Sequence, residues 1–270
     1  MSWELCGDIQ LSPADRIRYL MRNVWANIRT LGRGPDSHIF VPDLARARDI
    51  EAGQSPGRLL TELLFEAQLP CLISPRELRV VEIGCGSGSM VHRLARLGYC
   101  GRYIGVDIND RFRRDHPANF PFAIVYRQID AHAFAPSDRI DLMLSVSTLE
   151  HIPHDTALIQ RLPSMFNPGG VEVHVVPSGA SLMVYLWHGF RQYTPATLVM
   201  KFGREIELIR LGGLGSYLLH LVFITIPDLF FRRSWRKRAP RLYRKLLVGA
   251  LRIDRLLPFL PLAYVVIRRH

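Results

Sequence analysis

Short apolar runs at residues 78–83, 102–107, 122–127, 140–145, 171–176 and 205–211 recur along the chain without strict polar alternation. Runs of this kind predict strands covered on both faces, as in a parallel sheet sandwiched between helices. Helical patterning falls between them, over 88–97 closed by Gly98 and over 153–162. Upstream, Ser12-Pro13-Ala14-Asp15 marks a helix start. Ser12 can cap, Pro13 suits the first helical position, and Asp15 can return the capping-box bond. Ile17, Leu20, Met21, Val24, Trp25 and Ile28 then form one apolar stripe, expected to face inward. Ser55-Pro56 opens a second helix through Leu69. Residues 32–54 read as a connector with a short helical piece near Asp43–Ile50, and the polar stretch Arg111–His116 allows only a short helix. Beyond Pro177, a mixed aromatic and polar segment, Trp187-His188-Gly189-Phe190-Arg191-Gln192-Tyr193, precedes Thr194-Pro195, the expected start of a helix through Phe202.

The most informative stretch is Leu78 to Gly88, a buried strand running into the turn Gly84-Cys85-Gly86-Ser87-Gly88 and then a helix. Asp107 ends the next strand. A strand, a glycine turn, a helix and a strand ending in an acid make a nucleoside-cofactor site: the turn admits the ligand against backbone, and the acid accepts from ribose hydroxyls. A dinucleotide fingerprint needs a third glycine where this chain has Ser89; the spacing here is GxGxG, preceded by Glu82.

That turn resembles the first motif of the class I, seven-stranded methyltransferases that use S-adenosylmethionine. The likeness continues in order through Asp107, through Asp130 in Gln128-Ile129-Asp130-Ala131, through Ser145-Val146-Ser147-Thr148-Leu149-Glu150-His151-Ile152, and through Phe166-Asn167-Pro168-Gly169-Gly170. It is close over residues 55–178 and loose elsewhere. It implies an α/β, Rossmann-like, doubly wound sheet of seven strands, with residues 263–269 as an antiparallel last strand and with helical lid and insert elements. In domain terms, 1–54 would be an acceptor-side extension and 55–270 the methyltransferase domain, including an insert at 178–202 and an apolar then basic segment at 212–245. The resemblance also assigns cofactor roles: Gly84, Gly86 and Gly88 to the turn, Glu82 to the cofactor's ammonium group, Asp107 to its ribose, Ile108 and Asp130 to its adenine, and Ser145 to the segment bordering the pocket.

Such an enzyme must place the acceptor in line with the methyl group and, for a hydroxyl acceptor, remove a proton. Histidine suits that task near neutral pH. His188, His174 and His151 are the candidate bases, and each also fits a packed histidine. The aromatic insert resembles that of methyltransferases of glycan and surface-polysaccharide assembly. It points to O-methylation of a sugar hydroxyl, with Trp187 and Tyr193 either stacking on a ring or packing within the loop and Arg191 as an anion ligand. The alternative acceptor is a quinone or lipid-like ring. RNA comes third, because no Asn-Pro-Pro-Tyr-like tetrad follows strand four, and a non-catalytic partner protein on the same fold stays open. No acidic cluster for a magnesium ion stands out, and no metal is expected.

The chain has 270 residues, 48% of them hydrophobic, enough for a full core. Its four cysteines form no CxxC pair, which suggests a reducing compartment; Cys85 and Cys100 fall where small apolar side chains pack. The first 25 residues lack the apolar run of a secretory signal, so a cytoplasmic location is expected. The net charge of +11 is concentrated: eight arginines and lysines lie between Arg232 and Lys245, and a second basic group, from Arg16 through Arg33, Arg46 and Arg48 to Arg58, lies in the N-terminal part. A nearly apolar run, 214–231, stands directly before the first block. Two readings fit these letters, a packed helix beside a basic surface, and an interfacial segment on the anionic inner face of a membrane.

Overall fold

The computed structural model of the protein describes residues 5–30, 34–45, 54–113, 115–232 and 234–270. Its strands are β1 (His38–Ile39), β2 (Glu77–Ile83), β3 (Cys100–Asp107), β4 (Phe122–Gln128), β5 (Ile140–Val146), β6 (Phe166–Pro177), β7 (Glu207–Leu211) and β8 (Ala263–Arg269). The helices are α1 (Pro13–Arg29), α2 (Pro56–Leu72), α3 (Ser89–Arg96), α4 (Asp155–Arg161), α5 (Pro195–Phe202), α6 (Leu214–His220), α7 (Ile226–Phe231), α8 (Trp235–Arg238) and α9 (Pro240–Leu256). The chain divides into two compact units, one of residues 1–67, 177–197 and 208–265, the other of residues 68–176, 198–207 and 266–270.

The second unit holds the strand order β6-β5-β2-β3-β4, with every neighbouring pair parallel. The distal half of β8 runs antiparallel along β6: Gly169 donates to His270, and His270 donates back to Gly170. The central strands are buried along nearly their whole length, because Val80, Val81, Ile83, Tyr103, Val106, Leu142, Met143 and Leu144 are covered on both faces. The chain winds outward from β2 to β3 and β4, then returns to the other side of β2 for β5. The strand order therefore reverses between β2 and β5, where open α/β sheets place their ligands.

In the first unit, β1 pairs with β7 in parallel and β7 with the start of β8 in antiparallel fashion, Leu262 donating to Leu211. Ser12 caps α1 by accepting from the Asp15 amide, while the Asp15 carboxylate takes the Ser12 hydroxyl rather than its amide. The inward stripe expected for α1 is reversed. Tyr19 and Asn23 are its buried residues, whereas Ile17, Met21, Trp25 and Ile28 are exposed. Polar bonds fix that orientation: the Tyr19 hydroxyl donates to the His188 carbonyl and accepts from Gln192.

Six of the expected strands and the helices at 13–29, 89–96, 155–161 and 195–202 stand within a few residues of their predicted bounds. The sheet has eight strands rather than seven, because two residues of the expected connector, His38 and Ile39, pair with β7. In the helical piece expected near Asp43–Ile50, Asp43 caps a turn at Ala45, and residues 46–50 lie outside the described residues. Arg33, Arg46, Arg48, Arg114 and Arg233 lie outside them too. Among the described residues of 111–116 there is no helix.

Candidate cofactor site

The second unit builds a ligand-ready turn at the C-terminal end of β2. Gly84, Gly86 and Gly88 all have positive φ, at 71°, 54° and 75°. Each is constrained differently. A Cβ on Gly84 would stand 2.2 Å from the Thr148 side chain, and one on Gly88 would stand 2.1 Å from the Tyr126 hydroxyl oxygen. A Cβ on Gly86 would meet nothing within 4 Å. Gly84 and Gly88 are thus demanded by the fold itself, while Gly86 borders open space that a ligand can fill. The turn is tied to β3, since the Gly84 and Cys85 amides both donate to the Val106 carbonyl.

Asp107 ends β3 beside this opening. One carboxylate oxygen accepts from the Gly86 amide at 2.9 Å and the other from the Asn109 amide at 2.8 Å. The acid therefore fixes the turn and retains lone pairs for two hydroxyls. Behind the turn lies Glu82, buried and bonded by the Tyr103 hydroxyl. Burial pushes its carboxyl up to about 8, against the Tyr103 hydrogen bond and with help from Asp107. At neutral pH the carboxyl holds its proton, and a cationic amino group beside it would restore the carboxylate. The register accounts for this pairing: Glu82 lies opposite Gly105, and Tyr103, two residues earlier, shares its face.

Further along the rim, Asp130 follows β4 and caps a turn by accepting from the His132 amide at 2.7 Å. Ile108 is 66% exposed. Helix α3 starts at Ser89 with Gly88 as an N-cap that makes no side-chain bond, so its first amides point out of the turn. Ser145 stands apart from this group. It is fully buried, with its hydroxyl 2.7 Å from His174 Nδ1.

The three histidines occupy different settings. His174 is fully buried; its Nε2 lies 3.4 Å from Glu172, which also pairs with Arg268. Burial alone would raise the Glu172 carboxyl, but the neighbouring His174 and His270 rings and the Arg268 charge hold it well below the usual range. His174 is thus enclosed in an internal charge network. His151 sits in the turn after β5, one-third exposed, with Nε2 3.9 Å from the buried Glu150 carboxylate. His188 belongs to the first unit, where its Nδ1 lies 3.4 Å from Asp8.

The aromatic insert is built into the first unit. Tyr193 is fully buried, and Trp187 packs against the cluster of Leu11, Tyr19 and Leu182 with the Arg16 guanidinium over its ring at 5.0 Å. In place of the expected stacking platform, that unit holds a cavity of about 820 Å³, lined by Val24, Ile28, Leu182, Met183, Phe259 and Tyr264 among others, with Arg210 in its wall. Thr148, Tyr103 and Tyr126, which shape the turn, were not picked out from the sequence. The register of β2 on β3 would have found Tyr103; Thr148 and Tyr126 approach through the fold alone.

These residues fit S-adenosylmethionine: Asp107 would take its ribose, Glu82 its ammonium group and the first amides of α3 its carboxylate, with open space over Gly86. The fold and this site are those of a class I S-adenosylmethionine-dependent methyltransferase. A family model described as a methyltransferase domain matches residues 47–210, and the chain belongs to that family. Among curated proteins, it is similar to a ubiquinone biosynthesis O-methyltransferase of Rhodopseudomonas palustris strain BisA53, 31% identical over 40% of this chain and 44% of that protein. A protein of the same description from Alkalilimnicola ehrlichii is 25% identical over 64% of this chain and 78% of that one. The chain thus spans less than half the length of the first relative. Among solved structures, a SAM-dependent methyltransferase from Archaeoglobus fulgidus shares the fold, with a TM-score of 0.51 and 20% identity over 79% of this chain and 94% of that one.

Proposed function

We propose that this protein transfers the methyl group of S-adenosylmethionine to a ring hydroxyl of a quinone precursor bearing a hydrocarbon tail. The observation that carries the reading is the similarity to ubiquinone biosynthesis O-methyltransferases at 25–31% identity. It replaces the sugar acceptor as the leading reading, because the insert that suggested a sugar keeps Tyr193 buried and Trp187 packed.

When bound, S-adenosylmethionine would supply an electrophilic methyl group for the acceptor oxygen and would leave as S-adenosylhomocysteine. The chain's own part is to bind, orient and take the hydroxyl proton. Asp107 and the Gly86 amide position the nucleoside end, and Glu82 balances the ammonium group. We assign the proton to His151, the partly exposed one of the two candidate bases in the unit that carries the turn; the other, His174, is buried. His151 is three residues from Thr148, whose side chain backs Gly84, and its Nε2 lies 3.9 Å from Glu150.

A labelled-methyl transfer screen over quinone precursors, nucleotide sugars, lipid-linked sugars and RNA, read by mass spectrometry, tests the acceptor. A methyl ether on a quinone precursor is the expected product; transfer to a sugar with none to any quinone precursor would overturn the reading. His151→Ala should lower turnover roughly 10²–10⁴-fold with little change in cofactor affinity.

A further inference from the structure

The first unit exposes an aromatic tip inside a basic collar. Helices α6 and α9 pack closely enough that a Cβ on Gly215 would stand 2.3 Å from the Ala250 carbonyl oxygen. Asp254 of α9 fastens the pair by accepting from the amide and hydroxyl of Ser216. The connecting chain, through a π-helical turn at Leu221–Thr225, α7 and α8, carries the apolar side chains outward. Phe230 is 77% exposed and Phe231 56%, with Phe231 stacked on Trp235 at 6.2 Å. Leu229, Leu242 and Leu246 are exposed alongside. A folded protein keeps such a group in water at a cost that an occupant relieves.

Charge selects the occupant. Between Leu214 and Ile253 the sequence has nine arginines and lysines and a single acid, Asp228. The described cations closest in sequence to the tip, Arg232, Arg236, Lys237 and Arg238, flank Phe230, Phe231 and Trp235 on the chain. A second copy of this protein would bring the same positive charge to the contact. RNA would accept the cations and the aromatic rings but offers nothing to the leucines. An anionic bilayer satisfies all three, since rings and leucines enter the acyl boundary while guanidinium groups remain among phosphates. Among the described residues, no helix is long and apolar enough to cross a membrane, so the contact is interfacial.

We propose that the tip at residues 229–246 is a membrane-docking surface that seats the protein on anionic phospholipid. The proposal is independent of the methyl acceptor and survives whichever acceptor the transfer screen returns.

Flotation of the full chain with vesicles of phosphatidylcholine alone, and of phosphatidylcholine with phosphatidylglycerol, tests it. Binding to the anionic vesicles at low salt, falling as salt is added, is expected because exposed charges are screened. The double variant Phe230→Ser, Phe231→Ser should weaken partitioning at least tenfold with an unchanged Tm, since both rings already face water. Removing one exposed collar charge, Lys237→Gln or Arg238→Gln, should weaken it roughly fivefold each. Equal failure to float with either vesicle, undiminished flotation of the double variant, or retention on RNA with none on vesicles would overturn the proposal.

Discussion

Gly84 and Gly86 stand two residues apart with the same backbone sign and opposite surroundings, so substituting them should separate folding from binding. Gly84→Ala forces a methyl group into Thr148 and adds the left-handed strain of a non-glycine residue, about 1–2 kcal/mol before the clash is counted. It should lower the Tm markedly, and Thr148→Gly should restore part of the loss. Gly86→Ala carries the same strain without the clash, because its methyl group projects into open space. Its Tm should fall less, while calorimetric affinity for S-adenosylmethionine should fall more. Equal losses of affinity per degree of Tm in the two variants would show that the turn does not face the ligand. The spacing of the turn glycines and Asp107 anticipated the turn that the structure builds, whereas strand position alone cannot say whether a hydroxyl such as that of Ser145 points to a pocket or, as here, to His174.

Strands β6 and β8 share the buried network of Glu172, His174, Arg268 and His270. Arg268 also donates to the carbonyls of Phe202 and Ile159, so it ties α4 and α5 to the sheet. Arg268→Met would remove these bonds and leave the Glu172 charge with weaker compensation, at a cost of about 3 kcal/mol in chemical denaturation. Because Glu172 is held below its ordinary value of 4.5, its contribution is present above that pH and is lost as acid titrates the folded carboxylate. The difference between variant and parent should therefore narrow at low pH, leaving the part that belongs to the Phe202 and Ile159 carbonyl bonds; a constant difference down to pH 2 would exclude the Glu172 charge as a contributor. The strands themselves were readable because double-sided burial leaves unbroken apolar runs. Helix α1 was misread in direction for the complementary reason. Periodicity locates an apolar stripe but not its partner, and the polar bonds of Tyr19 and Asn23 won the buried side.

At the scale of the molecule, the two units carry titrating groups of opposite sense. In the second, Glu82 is raised from 4.5 to about 8, so the folded state holds a proton that the unfolded state releases, and stability falls as pH rises across that window. In the first, burial and the nearby Arg236 lower His220 from 6.5 to about 4, so stability is lost as pH falls from 6.5 toward 4. Hydrogen exchange on the cofactor-free protein, corrected for intrinsic rates, should show β2 and β3 gaining protection from pH 8 to 5. Over the descent from pH 6.5 to 4, α6 and α9 should lose it. A parallel response of both regions would contradict the assignment. The two compact units do not follow a single cut along the chain. Each unit draws on separated segments, and sequence reading along the chain sees only contiguous ones.

Strand β8 is divided between the units, its start lying with β7 and its end along β6. That arrangement sets the order of events on the ribosome. Strand β6 is translated about 90 residues ahead of β8, with β5 already made to pair on one side, yet its other edge has no partner until the entire arginine-rich helical stretch has followed. For that interval the nascent chain presents a long strand with unsatisfied amides and carbonyls, the kind of edge that recruits other chains. Synthesis of this protein thus passes through a stage in which shielding by a holdase, or a slow translation rate, decides how much product escapes aggregation.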